Sequence, residues 1–281
     1  MLRVAVPNKG SLSEPATTML REAGYRQRRE RQELVLVDPD NDTEFFFLRP
    51  RDIATYVSAG TLDVGITGRD LLLDGDHDAE ELLELGFGAS TFRYAAVPGT
   101  VSDVASFAGK RVATSYAGLV RRDLQRRGVD AEVVPLDGAV ETAVRLGVAD
   151  IVADVVSTGT TLRQAGLEVV GEPILHSDAV LVRRRGADED ARVEQLVRRL
   201  TGVIIARRYV MLDYDCRVET VEAAVAITPG IESPTVSPLH DKGWVAVRAM
   251  VEQREAHRIM DELWGLGARG ILLTDILACR L

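Results

Sequence analysis

The chain has 281 residues, 46% hydrophobic and 27% charged, an ordinary globular balance that allows one large domain or two to three smaller ones. Its formal net charge of -9 argues against nucleic acid as the main partner, because neutralising a phosphate backbone needs a basic face. No apolar run approaches the ~20 residues that span a bilayer, and the N-terminus enters a strand without a charged n-region, so neither a membrane span nor a signal peptide is expected.

From residue 1 to 184, short β-branched runs alternate with amphipathic segments. Strands are expected at 2–6, 34–37, 44–48, 63–67, 93–97, 111–114, 132–135, 151–155, 168–170 and 179–182, and helices at 11–23, 51–59, 103–108, 117–127, 139–147 and 160–165. This alternation predicts parallel or mixed sheets covered by helices on both faces. The pattern divides into two lobes with a cleft: residues 1–90 form the first and 91–184 the second, and a long helix at 188–209 returns the chain, so that 185–209 joins the first lobe. Residues 210–281 read as a separate β-α-β-β-α-β module of ferredoxin-like order. The basic run Arg26, Arg28, Arg29 and Arg31 and the acidic run Asp74, Asp76, Asp78, Glu80, Glu81 and Glu84 are expected to be solvated surface. Cys216 and Cys279 lie far apart without CxxC spacing, which fits a reducing, cytoplasmic setting.

The chemistry concentrates at residues 154–162, Asp-Val-Val-Ser-Thr-Gly-Thr-Thr-Leu. A strand, a hydroxyl-rich loop and a helix start make an anion cradle, since free amides and the helix dipole both point at the bound group. The loop has no Lys, so it is not the nucleotide P-loop. Ser157, Thr158, Thr160 and Thr161 supply hydroxyls around Gly159, and Asp154 at the strand end suits a pair of ribose hydroxyls. Together they point to a 5-phosphoribosyl group; the bland alternative is a plain Ser/Thr-capped turn.

Other candidates sit at strand ends, where ligands bind in α/β sheets. Lys9 comes just after the first strand in Pro7-Asn8-Lys9-Gly10, as a point charge for a polyphosphate or as a solvated loop lysine. Arg49 comes directly after Phe45-Phe46-Phe47-Leu48, and its fork suits phosphate. Asp70 in Gly65-Ile66-Thr67-Gly68-Arg69-Asp70 is an acceptor for ribose or adenine, or merely a first-turn acid. Tyr116 in Thr114-Ser115-Tyr116 is a purine contact or core. Arg51 and Asp52 are set aside as first-turn residues of the next helix. The four histidines have no metal-ligand spacing, and neither G-x-S-x-G nor H-E-x-x-H occurs.

The loop and its approach, Glu141, Gly147, Ala149, Val152, Asp154, Thr158, Gly159, Thr161 and Leu162, resemble the signature of the ATP phosphoribosyltransferase family, and the terminal module resembles that of its long form. The resemblance implies a type II periplasmic-binding-protein-like pair of α/β lobes and a reaction of ATP with 5-phosphoribosyl pyrophosphate (PRPP) that gives N1-(5-phosphoribosyl)-ATP and pyrophosphate. Adenine N1 has no proton to lose, so no general base is required and the lack of a catalytic His is expected. Mg²⁺ is the implied cofactor. Ser157 to Thr161 would hold the 5-phosphate, Asp154 the ribose, Lys9 and Arg49 the pyrophosphate or triphosphate, and Asp70 and Tyr116 the purine. L-histidine is implied as feedback inhibitor at Asp215, Thr235 and Gly270, AMP as a competitor at the active site, and the assembly as a homo-hexamer built from dimers. Two rival readings are a solute-binding protein, which shares the two-lobed pattern, and a small-molecule-sensing regulator using the terminal module.

Overall fold

A computed structural model describes residues 1–26, 33–156 and 159–280. The chain divides into two compact units, Met1–Arg21 with Tyr25–Val193, and Glu22–Gly24 with Glu194–Leu281.

In chain order the first unit contains β1 (Leu2–Pro7), α1 (Ser13–Glu22), β2 (Val35–Asp38), β3 (Thr43–Leu48), α2 (Pro50–Ser58), β4 (Val64–Gly68), α3 (Arg69–Asp74) and β5 (Ala79–Glu84). It continues with β6 (Ser90–Ala96), β7 (Arg111–Thr114), α4 (Ala117–Arg127), β8 (Glu132–Pro135), α5 (Thr142–Arg145), β9 (Ile151–Val156), α6 (Thr160–Gln164), β10 (Glu168–Ser177) and β11 (Ala179–Arg184). The expected helix at 103–108 is a 3-10 turn, Val104–Phe107, and the helix expected at 139–147 shrinks to the single turn α5.

These elements build two sheets. The first has the order β2-β3-β1-β4-β11-β5 and the second β10-β6-β9-β7-β8. β1 lies parallel to β3 and β4, and its residues Val4, Ala5 and Val6 are wholly buried. A strand covered on both faces has no polar side to show, hence its unbroken apolar run. α2 covers one face with Ile53, Ala54 and Val57 against Ala5, Val180 and Val182. The second sheet is also covered twice. Phe92 and Tyr94 pack with Phe107, Val120 and Leu124 on one face. Ala95, Ala113 and Val152 pack with Leu162 and Leu167 on the other. The small alanines let α6 sit close to the sheet, with Leu162 as the anchor.

The chain passes between the lobes twice, from β5 to β6 and from β10 to β11. The two passages are tied side by side: Leu85 N donates to Ala179 O and Ala179 N to Phe87 O, both at 2.9 Å. This corrects the expected lobe boundaries. β11 falls within 91–184, yet it pairs antiparallel with β4 and β5 in the first sheet. Ala179, Val180, Leu181 and Val182 are wholly buried there, the state of a central strand. The return therefore occurs at Asp178, not through the long helix at 188–209. That helix from Glu194 onward groups with the C-terminal unit, so 185–209 is not a single part of the first lobe.

The acidic run is also more than solvated surface. Residues Ala79–Glu84 form β5, an edge strand whose Glu81 accepts from Arg69 Nε at 3.0 Å and whose Glu80 accepts from Arg183 Nε at 2.8 Å. Charges along an open edge discourage further strand pairing. Of the basic run, only Arg26 lies in the described residues, and it pairs with Asp40 at 2.8 Å.

The second unit holds most of α7 (Ala191–Arg208), then β12 (Tyr209–Arg217), α8 (Val221–Ile227), β13 (Thr235–Pro238), β14 (Trp244–Glu252), α9 (Ala256–Gly265) and β15 (Arg269–Asp275). Its sheet has the order β13-β14-β12-β15 with every neighbour antiparallel, the ferredoxin-like arrangement. Val210, Leu212, Tyr214 and Cys216 alternate into a core with Ala224, Ile259 and Leu263. The Tyr214 hydroxyl and Thr228 Oγ1 are hydrogen-bonded at 2.7 Å, which satisfies both inside that core. Among the described residues no helix is long and apolar enough to cross a membrane.

Candidate active site between the lobes

Because β1, β3 and β4 run in parallel, Lys9, Arg49 and Asp70 all lie just past carboxyl ends on one edge of the first sheet. β7 and β9 are likewise parallel, so Tyr116 and Gly159–Thr161 follow strand ends on one edge of the second. β6 runs against them and starts at Ser90 on that same edge, while β10, antiparallel to β6, ends there at Ser177. A cavity of about 280 Å³ opens here, with Lys9, Gly10, Asp70, Ser90, Tyr116 and Ser177 on its wall. Val155, next to Asp154, also faces it, whereas Arg49, Gly159, Thr160 and Thr161 do not line it. A separate cavity of about 260 Å³ beside Asp63, Arg184 and Asp190 holds none of the candidate residues.

Asp70 is 7% exposed and sits at the start of α3. Ser177 Oγ donates to its Oδ1 at 2.8 Å and accepts from its backbone N at 3.0 Å. Across the cleft, Tyr116 and Asp70 both line the cavity. Burial pushes the Tyr116 phenol well above its ordinary range, and the charge of Asp70 adds to the rise, so it stays protonated as a donor. Its ring packs on Phe92 with centroids 5.1 Å apart, and the Arg51 guanidinium lies 4.8 Å from the ring centroid.

Arg51, set aside by sequence reasoning, thus stands in the site. It pairs with Asp74 at 3.0 Å. Asp74 Oδ1 accepts the Leu119 amide of α4 at 3.0 Å, and its carbonyl accepts from Arg122 Nη2 at 3.2 Å. Helix α4 has no side-chain cap of its own. Asp74, from the other lobe, occupies that position and complements the positive helix end. No sequence spacing announces this cap, since its partners are 45 residues apart.

In the loop, Val155 N donates to Asp154 Oδ1 at 2.8 Å. Burial raises the Asp154 carboxyl above its ordinary value, the Val155 amide opposes the rise, and the nearby charges of Glu141 and Asp70 add to it. Ser157 and Thr158 lie outside the described residues. Gly159 has φ 69°, the left-handed conformation that favours glycine, and it caps α6. Thr160 and Thr161 open that helix and are exposed, and Thr160 Oγ1 accepts from Arg163 Nη2 at 3.4 Å. Arg49 is exposed at the start of α2, where Pro50 takes the first helical position. Among the described residues no three His, Cys, Asp or Glu side chains gather as a metal site.

In the second unit, Asp215 lies on β12 facing away from the core, opposite Ala246 and Arg269. Gly270 is beside it: a Cβ there would sit 3.4 Å from Asp215 Oδ2. Thr235 is exposed on β13, opposite Arg248, which pairs with Asp213 at 2.6 Å. The three candidates therefore belong to one sheet, with Asp215 and Gly270 adjacent and Thr235 two strands from Asp215.

The fold and this polar wall define a two-lobed α/β protein with a polar cavity between its lobes and a ferredoxin-like module following them. The family model for ATP phosphoribosyltransferase matches residues 49–202, and the model of that family's C-terminal domain matches residues 206–278. The chain belongs to the ATP phosphoribosyltransferase family, transferases of the first step of histidine biosynthesis, in its long form. It is 64% identical over 285 residues to the ATP phosphoribosyltransferase of Streptomyces avermitilis and 65% identical over 286 residues to that of Arthrobacter sp. strain FB24, covering 100% of both chains in each case. Among solved structures it resembles a chain of the ATP phosphoribosyl transferase (HisG:HisZ) complex from Thermotoga maritima, at 28% identity and a TM-score of 0.64 over 73% of this chain and 98% of that one.

Proposed function

We propose that this transferase joins ATP to PRPP, forming N1-(5-phosphoribosyl)-ATP and releasing pyrophosphate. The observation that carries the reading is the cavity wall of Lys9, Asp70 and Tyr116, built from carboxyl strand ends, with Val155 of β9 on it next to Asp154. Residues of that loop would hold the 5-phosphate: the backbone at Gly159, the hydroxyls of Thr160 and Thr161 and, outside the described residues, Ser157 and Thr158. Asp154 would accept from the ribose hydroxyls. Lys9 and Arg49 would meet the pyrophosphate or triphosphate. Asp70 and Tyr116 would line the purine site.

The ribosyl centre becomes cation-like as pyrophosphate leaves, and the attacking ring nitrogen has no proton to shed. Catalysis therefore rests on holding two substrates in line and on cations placed at the departing charge. Asp154 adds a negative charge near the sugar, where positive charge develops. Mg²⁺ would neutralise the pyrophosphate. With no cluster of three ligating side chains among the described residues, the donor set fits an ion held mainly by phosphate oxygens and water.

The reading extends to feedback by L-histidine at Asp215, Thr235 and Gly270, where the Asp215 carboxylate would pair with the ligand's amine and Gly270 leaves that carboxylate uncovered. It also includes AMP as a competitor of ATP, a homo-hexamer built from dimers, and a cytoplasmic setting in keeping with two unpaired cysteines. The test is to mix the protein with ATP, PRPP and Mg²⁺ and measure pyrophosphate together with N1-substituted adenine absorbance. Pyrophosphate release that does not depend on ATP would point to a different phosphoribosyl acceptor. Light scattering gives the assembly size with and without histidine.

A further inference from the structure

Ser177 lies on the cavity wall, 3% exposed, yet its single hydroxyl proton is already committed to Asp70 Oδ1 at 2.8 Å. It has no second proton for a ligand. Its lone pair receives the Asp70 amide at 3.0 Å, and one residue on, Asp178 O accepts the Arg69 amide at 3.0 Å. These two amides are orphan donors in the first turn of α3, whose N-cap Gly68 offers no side chain. The second interlobe passage therefore caps the helix that carries Asp70, from 107 residues away.

We infer that Ser177 is a positioning residue for the nucleotide site: it fixes both the backbone and the carboxylate of Asp70, so that Asp70 meets Tyr116 and the purine in one orientation. The inference rests on the assignment of Asp70 to the nucleotide. Ser177 ends β10 where the chain leaves the second lobe, and Ala179 begins the strand inside the first sheet. A change in lobe angle at this passage is transmitted to Asp70 through two hydrogen bonds. ATP affinity is then tied to the interlobe geometry, while the PRPP loop on α6 is not.

The test uses the full-length protein with Ser177→Ala, Asp70→Ala and the double variant, measured by ATP titration calorimetry and by initial rates with ATP and PRPP. Loss of a buried hydrogen bond to a charged group predicts that Ser177→Ala weakens ATP binding about tenfold. The KM for PRPP and kcat are expected to stay within about twofold, and Ser177→Ala in the Asp70→Ala background to add less than about twofold. Unchanged ATP affinity in Ser177→Ala overturns the inference. So do a parallel rise in both KM values and full additivity in the double variant, which would mean that Ser177 only stabilises the fold. Absence of turnover by the wild-type protein would instead defeat the transferase reading, and the ATP titrations would still decide the role of Ser177.

Discussion

Gly118 at the start of α4 lies tight against Asp74 of the other lobe, and Gly118→Ala tests whether that approach matters. A Cβ at this position would lie 2.0 Å from the Asp74 carbonyl oxygen and 3.2 Å from its carbon, and real Cβ atoms do not come within 3.0 Å of such neighbours. The N-terminus of α4 and Asp74 must therefore separate by at least 3.0 − 2.0 = 1.0 Å. The Leu119 N to Asp74 Oδ1 bond, now 3.0 Å, would lengthen by about the same amount and pass beyond hydrogen-bonding range. A hydrogen bond to a charged group contributes about 1.5–3 kcal/mol. Alanine's better helix propensity returns up to about 1 kcal/mol. The net expectation is a loss of about 0.5–3 kcal/mol in unfolding free energy by urea titration. The effect on function should be larger. Tyr116 immediately precedes α4, and Arg51 on its ring is held by the same Asp74. A displacement of about 1 Å at a substrate-positioning group costs up to about 100-fold in kcat/KM. A Gly118→Ala variant that is as stable as wild type and keeps kcat/KM within about threefold would refute the reasoning, because it would mean that the lobes do not close on this contact.

Three further outcomes are expected. Asp154 has a folded-state carboxyl value raised above its ordinary 3.8, so the native state holds its proton to higher pH than the unfolded chain does. Stability from this group is fully present below its ordinary value and is lost as pH rises through the raised one. Asp154→Asn should raise the melting temperature near pH 7 by a few degrees while weakening PRPP use; a lower melting temperature would show the charge to be net stabilising. Thr161→Ala should raise the KM for PRPP about tenfold, the scale of one lost hydrogen bond to a charged phosphate, with melting temperature and KM for ATP unchanged because Thr161 is exposed. An unaltered KM for PRPP would remove this hydroxyl from the phosphate site. Asp215→Ala should weaken inhibition by histidine in steady-state assays and leave turnover intact; equal loss of both would place the inhibitor elsewhere.

The sequence by itself determined what depends on neighbours along the chain. The alternation of Val210, Leu212, Tyr214 and Cys216 marks β12, and the order of elements after residue 209 marks the ferredoxin-like sheet. The hydroxyl-rich stretch after Asp154 and the polar residues trailing strand ends marked Lys9, Asp70 and Tyr116, because a parallel strand must deliver its trailing loop to the sheet's carboxyl edge. Tertiary structure alone decided the rest. Ala179–Arg184 reads as a buried strand from its apolar run, but nothing local says that it pairs with β4 instead of the neighbouring β10. The acids of 74–84 read as solvated surface, and only pairing with the distant β11 makes 79–84 an edge strand, with Arg69 and Arg183 against Glu81 and Glu80. Arg51 reads as a first-turn residue, Asp74 as solvated surface, and no motif marks Ser177, although Asp74 caps α4 and Ser177 holds Asp70 across separations of 45 and 107 residues. Periodicity records which face of an element is buried. A hydrogen bond between distant elements needs only two complementary groups brought within about 3 Å by the packing of everything between them, and it leaves no spacing in the chain to be read.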